Sequence, residues 1–264
     1  VIRFAANLGF LWADRPLPDA IEAAAAAGFD AVECHMPYAH DPPDVAAALE
    51  QTGLPMLGLN TDHSGPEVGV GAIPGREAEA RSEIERAVDY ALAVDCPAIH
   101  VMAGCTGRSP GAEEAYRSNL AHAAELAAPE GLTVLVEPIS TNTFAGYHLH
   151  TVDQAIGTID ALRDDGVPDV TRVILDWFHV ADMGDDVLDA AARLGDRLGH
   201  VQVAAYPDRG EPDAGDLDAE VLLPGLVAAG YEGFFAAEYR PRGDLEAGLS
   251  WMAPWLAARA GAGA

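Results

Sequence analysis

The chain has 264 residues, half of them hydrophobic, and sets 42 acidic residues against 15 basic ones for a net charge of −27. So negative a field repels phosphate backbones and anionic lipid, which excludes nucleic acid and membrane surfaces as partners. Every basic residue is arginine, so Schiff-base aldolase chemistry, a pyridoxal-phosphate anchor and a P-loop lysine are excluded too.

In chain order, apolar runs at residues 2–7, 31–34, 55–60, 98–102, 133–137, 172–176, 200–204 and 233–238 read as strands. They alternate with Ala-rich stretches of 3.6-residue period, among them 19–27, 77–94, 113–128 and 218–229. Gly28, Gly53 and Gly230 stand where helix stops belong. Strict alternation of this kind predicts an α/β fold, a (β/α)8 TIM barrel forming a single domain over residues 1–264. A doubly wound open sheet would carry a Gly-rich fingerprint after its first strand, and here that strand runs into Asn7-Leu8-Gly9-Phe10. The longest irregular stretches, 61–76 and 206–215, follow the third and seventh strands. A barrel places both on its C-terminal face, where active sites lie. The Ala-Gly tail beyond Arg259 is expected to fray.

Cys34, Cys96 and Cys105 are scattered and form no C-x-x-C pair, so neither a disulfide framework nor a zinc knuckle is expected. No stretch approaches 18 uninterrupted apolar residues and the first residues resemble no signal peptide, so a cytoplasmic location is expected.

The informative residues stand at the ends of the late strands. The fifth run ends Val136-Glu137-Pro138, the sixth Leu175-Asp176-Trp177, the seventh contains His200-Val201-Gln202, and the eighth ends Ala237-Glu238-Tyr239. In a barrel these four neighbouring strands converge Glu137, Asp176, Gln202 and Glu238 near the axis. Carboxylates brought so close repel one another unless a cation sits between them. Three carboxylates and an amide oxygen form an all-oxygen set, which suits Mg²⁺ or Mn²⁺ better than Zn²⁺.

Beyond these residues, the sequence resembles the hydroxypyruvate isomerases of the xylose-isomerase-like barrels. The segments Arg3-Phe4-Ala5-Ala6-Asn7-Leu8, Ile73-Pro74-Gly75-Arg76-Glu77, Val136-Glu137-Pro138-Ile139, Gly146-Tyr147-His148-Leu149, Asp176-Trp177-Phe178-His179 and His200-Val201-Gln202-Val203 carry the likeness. So do Pro207-Asp208-Arg209-Gly210-Glu211-Pro212 and Gly248-Leu249-Ser250-Trp251-Met252, so that it runs nearly end to end. The resemblance implies an aldose–ketose type isomerisation of a short sugar acid. It implies a divalent metal held by Glu137, Asp176, Gln202 and Glu238, with proton transfer by Glu137 and Glu238. Gln202 stands where the related ketose 3-epimerases usually carry histidine, which points to the isomerase branch.

An acid substrate needs a cationic partner, and Arg209 and Arg76 lie in the two long loops. Arginine is well shaped to bind a carboxylate through two hydrogen bonds. His179, three residues after Asp176, and His148 complete the expected substrate-binding set on the strength of the resemblance. His63 and His100 match nothing in the family and read as packing residues, and Phe10 and Trp12 as packing at the barrel rim. The expected partner is thus a small hydroxy-keto acid or sugar. A homo-oligomer stays open. A ketose 3-epimerase and a dehydratase or decarboxylase of oxidised sugars remain the rival activities, since Asn60-Thr61-Asp62-His63-Ser64 and Ala204-Ala205-Tyr206-Pro207 depart from the family at the pocket.

Overall fold

A computed structural model describes residues 1–262 of the chain. Eight parallel strands close into a barrel in sequence order: β1 (Phe4–Asn7), β2 (Ala31–Cys34), β3 (Met56–Asn60), β4 (Ala98–His100), β5 (Thr133–Val136), β6 (Thr171–Asp176), β7 (Leu198–Val203) and β8 (Phe235–Ala237). β1 pairs with both β2 and β8, so no edge strand is left. The expected TIM barrel is therefore the observed fold. Several strands are shorter than their apolar runs, β4 and β8 most of all. Beyond His100 and Ala237 the chain turns into the loops that form the top of the barrel.

Helices pack around the outside, among them Leu17–Ala26, Glu77–Ala93, Ala112–Glu130 and Ala219–Ala228. Gly28, Gly53 and Gly230 all take positive φ after their helices, as the stop signals required. The side chains of Thr151, Asp186 and Asp244 cap later helices by accepting a backbone N–H. The helix over residues 253–262 runs through the tail expected to fray, and the last two residues lie outside the described ones.

Side-chain alternation along the strands builds the site. Outward positions such as Phe4, Val32, Ile99, Val134, Val136, Val173, Leu175, Val201 and Phe235 join the main apolar core beneath the helices. Inward positions come in pairs two residues apart. The lower member is mostly small or aliphatic: Ala5, Ala31 and Ala236 form one cluster, and Ala98, Leu135 and Ile174 another. The upper member is polar on the same strands: Asn7, Glu33, His100, Glu137, Asp176 and Glu238, each buried. On β7 both inward members are polar, His200 below and Gln202 above. Strand register levels the ring, pairing Asn7 with Glu33 and Asp176 with Gln202.

Candidate active site

Asp176 ends β6 and caps the short helix Trp177–Asp182, its Oδ1 accepting from the Phe178 amide at 2.9 Å. Its Oδ2 accepts from Arg209 Nη2 at 2.9 Å, and the same nitrogen donates to Glu238 Oε2 at 2.7 Å. Glu238 Oε1 lies 2.9 Å from His35 Nε2 and accepts from Asn7 Nδ2 at 3.3 Å. His35 is seated by Gly9, where an added Cβ would overlap the imidazole ring. Glu137 is held differently. Its Oε1 is buried without a hydrogen-bond partner in the protein, with His179 Nε2 at 3.8 Å, while its Oε2 lies 3.9 Å from His100 Nδ1. Gln202 Oε1 is likewise buried and unpartnered, whereas its Nε2 donates to Glu33 Oε1 at 2.8 Å.

Arg209 comes from the loop after β7 and reaches inward with its backbone in the left-handed region, φ 56°. Its guanidinium is clamped between Phe10 and Phe178, 5.0 Å from each ring centre, and Nη1 sits 3.2 Å from His179 Nε2. Phe10 therefore does more than pack the rim: it covers the site's one buried guanidinium. Trp12 faces the core, its indole N–H donating to Glu246 at 3.1 Å.

Burial, with Glu238 and Asp176 nearby, pushes the Glu137 carboxyl well above its ordinary range. Burial also pushes Asp176 up to about 7 against the pull of Arg209. For Glu238 burial acts upward too, yet Arg209 and His35 hold it below the usual carboxylate range. Burial and Arg209 push His179 down to about 3, so its imidazole is neutral. The site thus concentrates negative charge that a single guanidinium cannot balance. Among the described residues Glu137, Asp176 and His179 bring ligand atoms within 4.8 Å of one another, a buried candidate metal site. Two orphaned oxygens, Glu137 Oε1 and Gln202 Oε1, are what a hard cation would satisfy. His179 adds a nitrogen donor that the all-oxygen expectation lacked.

These shifts carry a pH dependence. A carboxyl raised in the folded state favours folding fully below its unfolded pKa, 3.8 for Asp176, and loses that contribution as pH rises through about 7. Cation binding needs the ionised form, so it releases protons and tightens with rising pH. We expect Mn²⁺ titration calorimetry in buffers of different ionisation enthalpy to show more protons released near about pH 6 than near about pH 8. Equal release at both would contradict the assigned charge states.

The remaining expected residues lie elsewhere. Arg76 forks onto Glu79 at 2.5 and 2.7 Å and pairs with Glu67 at 3.3 Å in exposed surface contacts. His148 is tied to Glu113 at 2.9 Å and stacks edge-on against Tyr116, fastening a loop to the helix Ala112–Glu130. Sequence reasoning missed Asn7, Glu33, His35 and His200. Glu33 had a signal, a charge inside the apolar run Ala31-Val32-Glu33-Cys34, and His200 stands two residues before Gln202.

Comparison with known proteins agrees with this fold. Residues 21–255 match the family described as xylose isomerase-like TIM barrel. A 2-oxo-tetronate isomerase of Cupriavidus necator is 38% identical over 96% of this chain and 98% of its own. The hydroxypyruvate isomerase of Escherichia coli is 31% identical over 97% of this chain and 100% of its own. A crystal structure from Brucella melitensis titled AP endonuclease, family 2, superposes with a TM-score of 0.92 at 36% identity, covering 97% of this chain and 99% of that one. Fold and site together define an isomerase of the xylose isomerase-like barrel class. Within that class the chain belongs to the hydroxypyruvate isomerase and 2-oxo-tetronate isomerase family.

Proposed function

We propose that the enzyme interconverts hydroxypyruvate and tartronate semialdehyde, or a closely related short hydroxy-keto acid, with Glu137 and Glu238 moving the proton. The observation that carries this reading is the pairing of two buried glutamates with opposite charge tendencies around Asp176 and Gln202. Groups whose environments push their pKa values apart are suited to acid and base roles. Glu137, Asp176, Gln202 and Glu238 would hold the divalent ion, Mg²⁺ or Mn²⁺, with His179 beside them. When bound, such an ion supplies Lewis-acid stabilisation of negative charge developing on substrate oxygens.

The chain's own residues do the rest. One glutamate takes a proton from the hydroxymethyl carbon, and the electron pair enters the carbon–carbon bond as charge moves onto the ketone oxygen. The resulting cis-enediolate is reprotonated at the former ketone carbon by the other glutamate. Transfer of the hydroxyl proton to the neighbouring oxygen completes the aldehyde, so no co-reactant is consumed. Glu137 follows β5 and Glu238 follows β8, so the two carboxylates would reach the substrate from different parts of the ring. Phe10 and Phe178 flank the guanidinium, and Arg209, paired with Asp176 and Glu238, would receive the substrate carboxylate. The net charge of −27 opposes a nucleic-acid substrate here.

Proton NMR in D₂O with Mn²⁺- or Mg²⁺-loaded enzyme tests the reaction. Deuterium entering the carbon beside the carbonyl, with tartronate semialdehyde appearing, is the expected result. Conversion of ketoses alone would move the enzyme to the epimerases, and no exchange on any short hydroxy-keto substrate would overturn the isomerase chemistry. Arg209→Ala is expected to raise KM for the acid substrate about 10- to 100-fold, the loss of one or two charge-assisted hydrogen bonds. Arg209→Lys should recover little of it, because an ammonium cannot reproduce the fork. An unchanged KM in Arg209→Ala would remove this residue from the site.

A further inference from the structure

We infer that Glu33 is a positioning residue that decides which atom of Gln202 faces the cation site. The inference rests on the proposed role of Gln202 as a ligand. An amide side chain carries an oxygen that can ligate and a nitrogen that cannot, and either can point inward unless neighbours decide. Here a chain of hydrogen bonds within the polar ring decides, and it starts at the backbone.

The Gly9 N–H can only donate, and it donates to Asn7 Oδ1 at 2.9 Å. That fixes Asn7 Nδ2 toward Glu33 Oε1, to which it donates at 2.6 Å. Glu33 Oε1, an acceptor for Asn7, is also the atom facing Gln202 at 2.8 Å, so Gln202 must present its NH₂ there. Its Oε1 is thereby turned away from Glu33, and it is buried and without a partner. Glu33 Oε2 is anchored in turn by His200 Nε2 at 2.6 Å. Three donors from two strands, β1 and β7, hold this carboxylate, which lies outside the Arg209 cluster and takes part in no proton transfer described above. Its place in β2 and its burial make it a fixed template rather than a surface acid. Partners of this kind behind a ligand commonly change metal affinity about 10- to 100-fold when lost.

The test is Mn²⁺ affinity by electron paramagnetic resonance, alongside circular dichroism, on the full chain. Glu33→Ala removes the acceptor and should weaken Mn²⁺ about 10- to 100-fold. Glu33→Gln keeps a carbonyl toward Asn7 and Gln202 while His200 changes tautomer, so affinity should stay within about threefold of the parent. Glu33→Ala/Gln202→Glu should regain affinity, because a carboxylate presents an oxygen whichever way it turns. A packing role for Glu33 would not be rescued by that second change. Should Glu33→Ala fail to fold, the double variant alone decides, binding in support and no binding against. Gln202→Ala separates the two ideas. If it binds Mn²⁺ as the parent does, Gln202 is no ligand and the role of Glu33 falls with it. If Gln202→Ala is weakened while Glu33→Ala is not, only the role of Glu33 is overturned.

Discussion

Glu137→Gln and Glu238→Gln are each expected to cut turnover on hydroxypyruvate by about 10²–10⁴-fold, the usual worth of a positioned general acid or base. Their effects on stability should part company. Glu137 is a buried carboxylate crowded by Glu238 and Asp176, with one oxygen unpartnered. A neutral amide there removes like-charge repulsion, so in chelator the Glu137→Gln protein should melt at or above the parent temperature. Glu238 instead holds Arg209 and His35. Neutralising it leaves the guanidinium with Asp176 as its one charged partner in the site, and breaking a buried pair costs up to about 3–5 kcal/mol, so Glu238→Gln should melt lower. Steady-state kinetics and thermal unfolding in chelator check both. Near-parental turnover in either variant would sink the scheme of two carboxylates.

Exhaustive chelation is expected to lower activity at least about 10²-fold, since a Lewis acid contributes several kcal/mol to such a transition state. Mg²⁺ or Mn²⁺ should restore it and raise the melting temperature, because a ligand that binds only the folded state stabilises it. Zn²⁺ should restore less, the predominantly oxygen donor set being better matched to hard ions. Activity that survives chelation in full would separate the buried cluster from catalysis.

The carboxylates of the candidate site were legible in the sequence for a simple reason. Glu137, Asp176 and Glu238 each interrupt or end an apolar run, and the closed parallel topology carries such positions to one level. The same rule of inward positions two apart would have exposed Glu33 and His200, but a lone acid in a four-residue strand is an ordinary sight. Asn7 and His35 owe their place to closure of the barrel: Asn7 meets Glu238 across 231 residues of chain. No local pattern encodes that contact. Arg209 and Arg76 looked alike because both sit in long loops. They differ in their company: Phe10 and Phe178 enclose one, while Glu67 and Glu79 hold the other at the surface. His100 read as packing, and it is buried, yet it stands in the polar ring 3.9 Å from Glu137.

That ring has a further meaning for how such an enzyme diversifies. Its members are the last inward positions of strands whose other residues are committed to the barrel wall and the apolar core. Few of them can change without disturbing a neighbour's charge or the wall itself. Above them, the stretches 61–76 and 204–218 are tied down at fewer points, among them Thr61, Arg209 and Glu211, and leave more of their residues exposed. On the proposed function, bond making belongs to the ring and substrate choice to the loops. A new substrate can be acquired by editing the loops while the chemistry beneath them is inherited unaltered.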